Sequence, residues 1–528
     1  MQKNKHYAIL RLFGCKTEIR HHGIEYTSLN KVPTKSVISS AWFCKMNKIL
    51  CLASMLFLFM SSMAIAASIS ICVGPTASGD GSGKDWNNIA KWSTLTFARG
   101  NTYYLQSGTY TSKTLSTPNS GSTYIYIQKA TESAHGIPDG WQPAYGAGTA
   151  TFSGGAYLTI STDYWDISGV NGGGPNSWKT GHGIVFTSVF PDSQYFIVLP
   201  GARSYIFIRH IYFNQTGNTE AGPAGAGAGG IYSDSSSSLN YSTIEYCYFD
   251  NLGALPFFLR FGNNNIIQYN YTGNICGMSV FDYTWHCETL VSHGLNDLHF
   301  RWNFINECPS TGGFVKNNDG TTSDKIRIYG NVFANGVGIA IDGTATNWRI
   351  INNTFVNMTS LISITGTFGA TNLFYNNLVL NSQISTLPGT HGYNWFSKGG
   401  CNCNSSGIKD KTIENITINY PNDCDKIIEI KDPLWNSYTT PQSDVNPITF
   451  QVTSKDYAKN QNAPGYDLCH DNTILPEGCS GENRYDFDAF GLNRATPPTD
   501  INNIPVGNSW TRGSYHYGIL PAYNLRTQ

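Results

Sequence analysis

Between residues 255 and 380 the chain writes one phrase several times: a short apolar run, an asparagine, an apolar pair, then polar residues or glycine. It reads IIQYNYTGN around Asn270, LHFRWNFIN around Asn303, IRIYGNVFAN around Asn331, WRIINNTFVN around Asn353 and LFYNNLVLN around Asn377. The steps between these asparagines are 33, 28, 22 and 24 residues. Apolar and polar residues alternate over four to six positions and then break at Gly, Asn or Asp, which is a strand signal. A helical repeat would need longer amphipathic runs, and none is present. Repeats of this length built from short strands describe a solenoid.

Stacked parallel strands put equivalent residues about 4.8 Å apart. An asparagine at each corner can then donate to one neighbour and accept from the other, making an amide ladder. Ile267, Leu298, Ile326, Trp348 and Leu373 are expected to stack inside. The fold expected is an all-β, right-handed parallel β-helix with an N-terminal helical cap and an irregular C-terminal segment. A β-propeller or a sandwich is the alternative. Charged residues make up 13% of the 528-residue chain and glycine contributes 54 residues, a composition that suits strands and turns. The net charge of −1 gives no electrostatic case for nucleic acid.

Four regions are expected. Residues 1–45 form an upstream extension. Residues 46–66, MNKILCLASMLFLFMSSMAIA, carry a lysine, an apolar run and a small-residue cleavage site, as a signal peptide does. A signal anchor is the alternative, although the run is short for a membrane span. Residues 67–385 hold the β-helix, and 386–528 the final coils and a disulfide-rich cap. The destination is extracellular or periplasmic, with no span once the signal is removed, and a monomer is expected. Ten cysteines follow Ala66. An even number in an exported chain suggests disulfides. Cys287 with Cys308 and Cys469 with Cys479 are the candidate pairs. WNNIAKWSTL (86–95) reads as a short helix covering the open end of the solenoid. NTYYLQSGTY (101–110), STYIYIQKA (122–130) and YLTISTDYWDISGV (157–170) read as early coils, and AGPAGAGAGG (221–230) as a flexible excursion.

A β-helix displays a row of outward side chains from successive coils. FFLRFG, CETLVSHG and GGFVKNN sit at similar offsets from their asparagines. With Leu259, Ser292 and Val315 inward, Arg260, His293 and Lys316 share one outer column. Such a column suits an anionic sugar chain, since stacked cations repel unless an anion or solvent screens them. The alternative is that Arg260 and Lys316 are ordinary solvated charges and His293 a polar surface residue. Trp285 and Trp302, with Tyr283 and Phe281, are candidate sugar-stacking platforms or, equally, cap packing.

The order Glu288-Thr-Leu-Val-Ser-His293, Asn303-Phe304-Ile305, Gly312 to Lys316, Gly330-Asn331-Val-Phe333, Gly338-Ile339-Ala-Ile341-Asp-Gly343 and Asn352-Asn353-Thr-Phe355 resembles the core of the chondroitinase-B and alginate lyase family of polysaccharide lyases. That resemblance implies β-elimination on a uronic-acid polymer. The C5 proton leaves beside a neutralised carboxylate, and the C4 oxygen departs. It implies His293 as base, Lys316 as acid or charge stabiliser and Glu288 as a calcium ligand. Three departures stand out: His replaces the family's Lys, Lys replaces its Arg, and His286 stands where a second acidic ligand belongs. Charge neutralisation then falls to Arg260, Lys316 and Arg301. The function expected is a secreted polysaccharide lyase with an acidic polysaccharide as partner. A non-catalytic glycan- or surface-binding β-helix is the alternative, and a glycoside hydrolase on the same fold the second.

Overall fold

The computed structural model describes residues 68–175, 177–188, 194–216, 228–233, 238–275, 288–308, 315–317, 320–380, 389–392, 394–396, 475–483 and 485. All of them belong to one compact unit, 67–528. The upstream extension, residues 46–66, Trp285, Cys287 and Cys469 lie outside the described residues.

Every pairing between the stacked strands is parallel, and each strand pairs with its counterpart one coil away. The chain winds as a parallel β-helix with three faces. The first face includes Ile125–Lys129, Trp165–Ser168, Ile206–Arg209 and Thr243–Glu245. The second includes Ala150–Ser153, Ile184–Ser188, Ile211–Gln215 and Tyr248–Asp250. The third includes Gln194–Leu199, Ala228–Ser233 and the first residues of two twelve-residue strands, Phe257–Gln268 and Leu290–Arg301, which then turn the corner onto the first face.

Alternation decides what points inward. On the first face Ile127, Ile167, Ile208, Ile244, Ile267, Phe300, Ile328, Ile350 and Phe374 form one buried column. On the second, Phe152, Phe186, Phe213 and Phe249 stack, with successive centroids 4.7, 5.4 and 4.7 Å apart. Each such side chain contributes roughly 1.5–3 kcal/mol by leaving water.

The expected amide ladder is present and longer than the repeat suggested. Asn270, Asn303, Asn331, Asn353, Asn377 and Asn394 are buried. The Oδ1 of each rung after the first accepts from both the backbone N–H and the Nδ2 of the rung before it. Nδ2 also donates to a carbonyl of the inner column, from Ile244 for Asn270 to Phe374 for Asn394. Just before the ladder, His210, Tyr246, Tyr269 and Trp302 hold left-handed backbone with φ of 54–57°. Bulky residues resist that region by about 1–2 kcal/mol. Here their rings stack 4.9, 4.9 and 5.1 Å apart, and the His210 and Trp302 amides bond the next coil.

Several expectations need correction. Residues 86–95 form no α-helix. They supply the strand Ala90–Lys91 and one 3₁₀ turn, Trp92–Thr94, because Asp85 caps the Asn87 and Asn88 amides into a tight turn. The glycine-rich stretch ends in a paired strand, Ala228–Ser233. Beyond residue 385, where final coils were expected, Thr390–Gly392 and Trp395–Phe396 pair with the preceding coil. Leu298, Ile326 and Trp348 are buried, but two residues before the Ile267 column, which continues through Phe300, Ile328 and Ile350; Leu373 pairs with Arg349 on the outer side of the first face. Cys72 and Cys247 are buried free thiols. Burial raises the Cys72 thiol to about 12, and Cys247 carries the backbone N–H that Asn270 Oδ1 accepts, one rung below the ladder. No helix among the described residues is long and apolar enough to cross a membrane.

Candidate functional site

The third face carries the candidate site. Phe257 pairs with Leu290 and Leu259 with Ser292, so both inner positions are fixed and Arg260 pairs with His293 on the outer side. These two residues are neighbours on successive coils, as the sequence pattern required.

Lys316 stands elsewhere. Leu290 pairs with Val315, so Lys316 pairs with Val291, two positions upstream of His293. Its row runs through Phe258, Val291, Lys316 and Ala340. A two-residue slip keeps the alternation of inner and outer residues, so the apolar pattern does not distinguish the two registers. One coil and two residues of strand separate the backbones at 316 and 293 by about 8 Å. By register Lys316 therefore falls outside the Arg260–His293 row.

Aromatic rings line the outer side beside Arg260. Tyr195 and Tyr232 stack at 4.8 Å, Tyr232 and Phe258 lie 5.3 Å apart, and Phe258 meets the His293 ring edge-on at 5.4 Å. The Arg260 guanidinium sits 4.9 Å over Phe258, a cation–π contact. Gly229 makes this possible, since a Cβ there would lie 2.1 Å from a Tyr195 ring carbon. The Arg260 backbone is held by Ser233, whose hydroxyl bonds both its N–H and its carbonyl.

Among the described residues, the one contact shown for the Arg260 guanidinium is the one with Phe258. Its Nε is buried and has no hydrogen-bond partner. A buried unpaired donor costs on the order of 1–3 kcal/mol, more for a charged group, and an anion would recover it. Glu288 and His293 are nearly closed to solvent, at 1% and 4% exposure. Tyr195 feels both Glu288 and Arg260. Burial pushes its phenol well above the usual range, with Tyr232 and Glu288 adding to the effect, so it stays protonated at neutral pH. The sequence pattern missed Tyr195 because the asparagine phrase that sets the register begins only at residue 255. Simple alternation in QYFIVL would have placed Tyr195 inside with Ile197 and Leu199, because Phe196 and Ile197 are both buried in succession.

Two expected binders take other roles. Arg301 lies on the first face, paired with Gln268 and Tyr329. It donates to Gln268 Oε1 at 2.7 Å, to the Tyr329 hydroxyl at 2.9 Å, and to the carbonyl and carboxylate of Glu482 at 2.9 and 3.0 Å. Arg349 likewise grips Glu477, and Tyr485 packs on Tyr329. These arginines fasten residues 475–485 to the first face. Trp302 is 7% exposed within the turn stack and offers no open platform.

Calcium takes six to eight oxygens; among the described residues no group of three or more His, Cys, Asp or Glu side chains is placed to hold a metal ion, and His286, beside Glu288, lies outside them. Arg260 is the cation paired with His293 across the coil step.

No protein-family model matches the chain, and no curated protein does. Among solved structures it is similar to pectate lyase Pel9A, at 14% identity and TM-score 0.39, covering 62% of this chain and 80% of that one. It is also similar to the PL6 family alginate lyase AlyGC in a mutant form, at 13% identity and TM-score 0.35, covering 60% of this chain and half of the other. The class to which the chain belongs, a parallel β-helix, rests on its own strand pairing.

Proposed function

We propose that the protein is a polysaccharide lyase that cleaves a uronic-acid polymer by β-elimination on the third face. The observation that carries the proposal is the buried, unpartnered Arg260 Nε, one coil from His293 and beside an aromatic stripe. Arg260 binds the uronate carboxylate and withdraws its charge. The neutral His293 imidazole takes the C5 proton. The electrons of that C–H bond form the C4–C5 double bond as the C4–O bond breaks. The Tyr195 phenol protonates the departing oxygen, and Lys316 adds positive potential from the neighbouring row. Glu288 orients this set, and no step is routed through calcium. Trp285 is retained as a candidate sugar contact.

The test is digestion of alginate, polygalacturonate and chondroitin sulfate, followed by ultraviolet absorbance and reducing ends together. Unsaturated products that vanish in His293→Ala and fall sharply in Arg260→Ala are expected. New reducing ends without absorbance would mean hydrolysis and overturn the proposal. The low exposure of His293 favours a second reading, in which the face binds an acidic glycan without cleaving it. Retention on an immobilised polyuronate with no new chain ends would select that reading.

A further inference from the structure

The first face holds a separate cleft at its N-terminal end, away from Arg260 and His293. It has a volume of about 380 Å³ and is lined by Tyr126, Gln128, Asp166, Ser168, Arg209 and His210. Three coils supply these side chains: Tyr126 pairs with Asp166, and Gln128 with Ser168, while Phe207 and Arg209 follow on the next coil. The excursion between the second and third of the early coils closes one side through Ala134.

Charge decides what fits. Arg209 bonds Asp166 through both Nε and a terminal nitrogen, and reaches Glu245 at 3.8 Å. His210 accepts no charge at neutral pH, because burial holds its pKa below the usual value. Its Nδ1 donates to the Gly172 carbonyl at 2.6 Å, leaving Nε2 as an acceptor. One cation thus faces two carboxylates, a balance of −1 that repels uronates. The ion pair is already formed, so a neutral ligand strips water from no isolated charge. Asp166 offers acceptors, and Arg209 and the Gln128 amide offer donors. Each matches a sugar hydroxyl, which both gives and takes hydrogen bonds. Tyr126, 38% exposed and stacked on Tyr124 at 5.9 Å, supplies an aromatic surface at the rim. The volume lies near the lower end for small-molecule sites, enough for one or two sugar rings.

We infer that this cleft is a binding site for a neutral mono- or disaccharide unit, independent of the uronate site on the third face. It would hold a neutral stretch or branch of a glycan while acidic units engage Arg260.

The experiment is isothermal titration of the whole chain with cellobiose, maltose, lactose, mannobiose and xylobiose, and with digalacturonate as the acidic control. Tyr126→Ala, at an exposed position, and Asp166→Asn are the variants. At least one neutral disaccharide should bind, and both variants should weaken it tenfold or more. Arg260→Ala should leave that binding unchanged, and Tyr126→Ala should leave cleavage of polyuronates unchanged. Failure of every neutral disaccharide to bind, or unaltered binding in Tyr126→Ala, would overturn the site without touching the uronate proposal.

Discussion

Replacing Asn331→Ala removes one rung from the middle of the amide ladder. Five hydrogen bonds go with it: two accepted from Asn303, and three donated to Phe300, Tyr329 and Asn353 at 2.8, 3.2 and 3.0 Å. The backbone bond from Asn331 to Asn353 Oδ1 survives. The Asn303 amide loses its acceptor at a fully buried position. An orphaned buried donor costs about 1–3 kcal/mol and each lost neutral bond about 1 kcal/mol. These losses share partners and do not simply add. The expected destabilisation is about 3–5 kcal/mol. Asn331→Asp should cost at least as much, because it sets an oxygen against three acceptors. Urea denaturation gives the free energy, and hydrogen exchange at the Asn303 amide gives the local effect. Solenoids open coil by coil, so the second readout matters. A loss below about 1 kcal/mol with unchanged exchange at Asn303 would refute the ladder as a stabilising device.

His182 is buried, and desolvation lowers its pKa from 6.5 to about 4. The unfolded chain therefore binds this proton first, and stability falls as pH drops from 6.5 towards 4, by roughly 2–3 kcal/mol across that range. A His182→Gln variant should show a flatter acid profile in denaturation, and an identical profile would contradict the assignment. Arg301→Ala should raise hydrogen exchange across 475–485 while leaving polyuronate cleavage unchanged, because its donors serve Gln268, Tyr329 and Glu482. Lost cleavage with undisturbed exchange would return Arg301 to the substrate.

The repeat was legible because the asparagine does one job at every rung, so the same letter recurs wherever the same bonds must be made. Arg260 beside His293 was legible for a related reason: Phe257 with Leu290 and Leu259 with Ser292 keep one register. Lys316 was misplaced because a slip of two residues preserves inside and outside, and only backbone pairing separates the two registers. Arg301 read as a substrate contact near the candidate site, yet the twelve-residue strand Leu290–Arg301 crosses a corner and delivers it to another face, with Trp302 in the turn that follows. What covers Arg301 comes from Glu482, 181 residues later, a contact no local pattern encodes. Tyr195 and the cleft around Asp166 lie on coils without the asparagine phrase, where the sequence offered no anchor for the register.

An experimental structure of the His293→Ala chain with a bound oligouronate tests the central assignment most directly. A carboxylate oxygen within hydrogen-bonding distance of Arg260 Nε, with the adjoining C5 turned towards position 293, is the predicted result. An oligouronate seated on either of the other two faces, with Arg260 still without an anion, would contradict it.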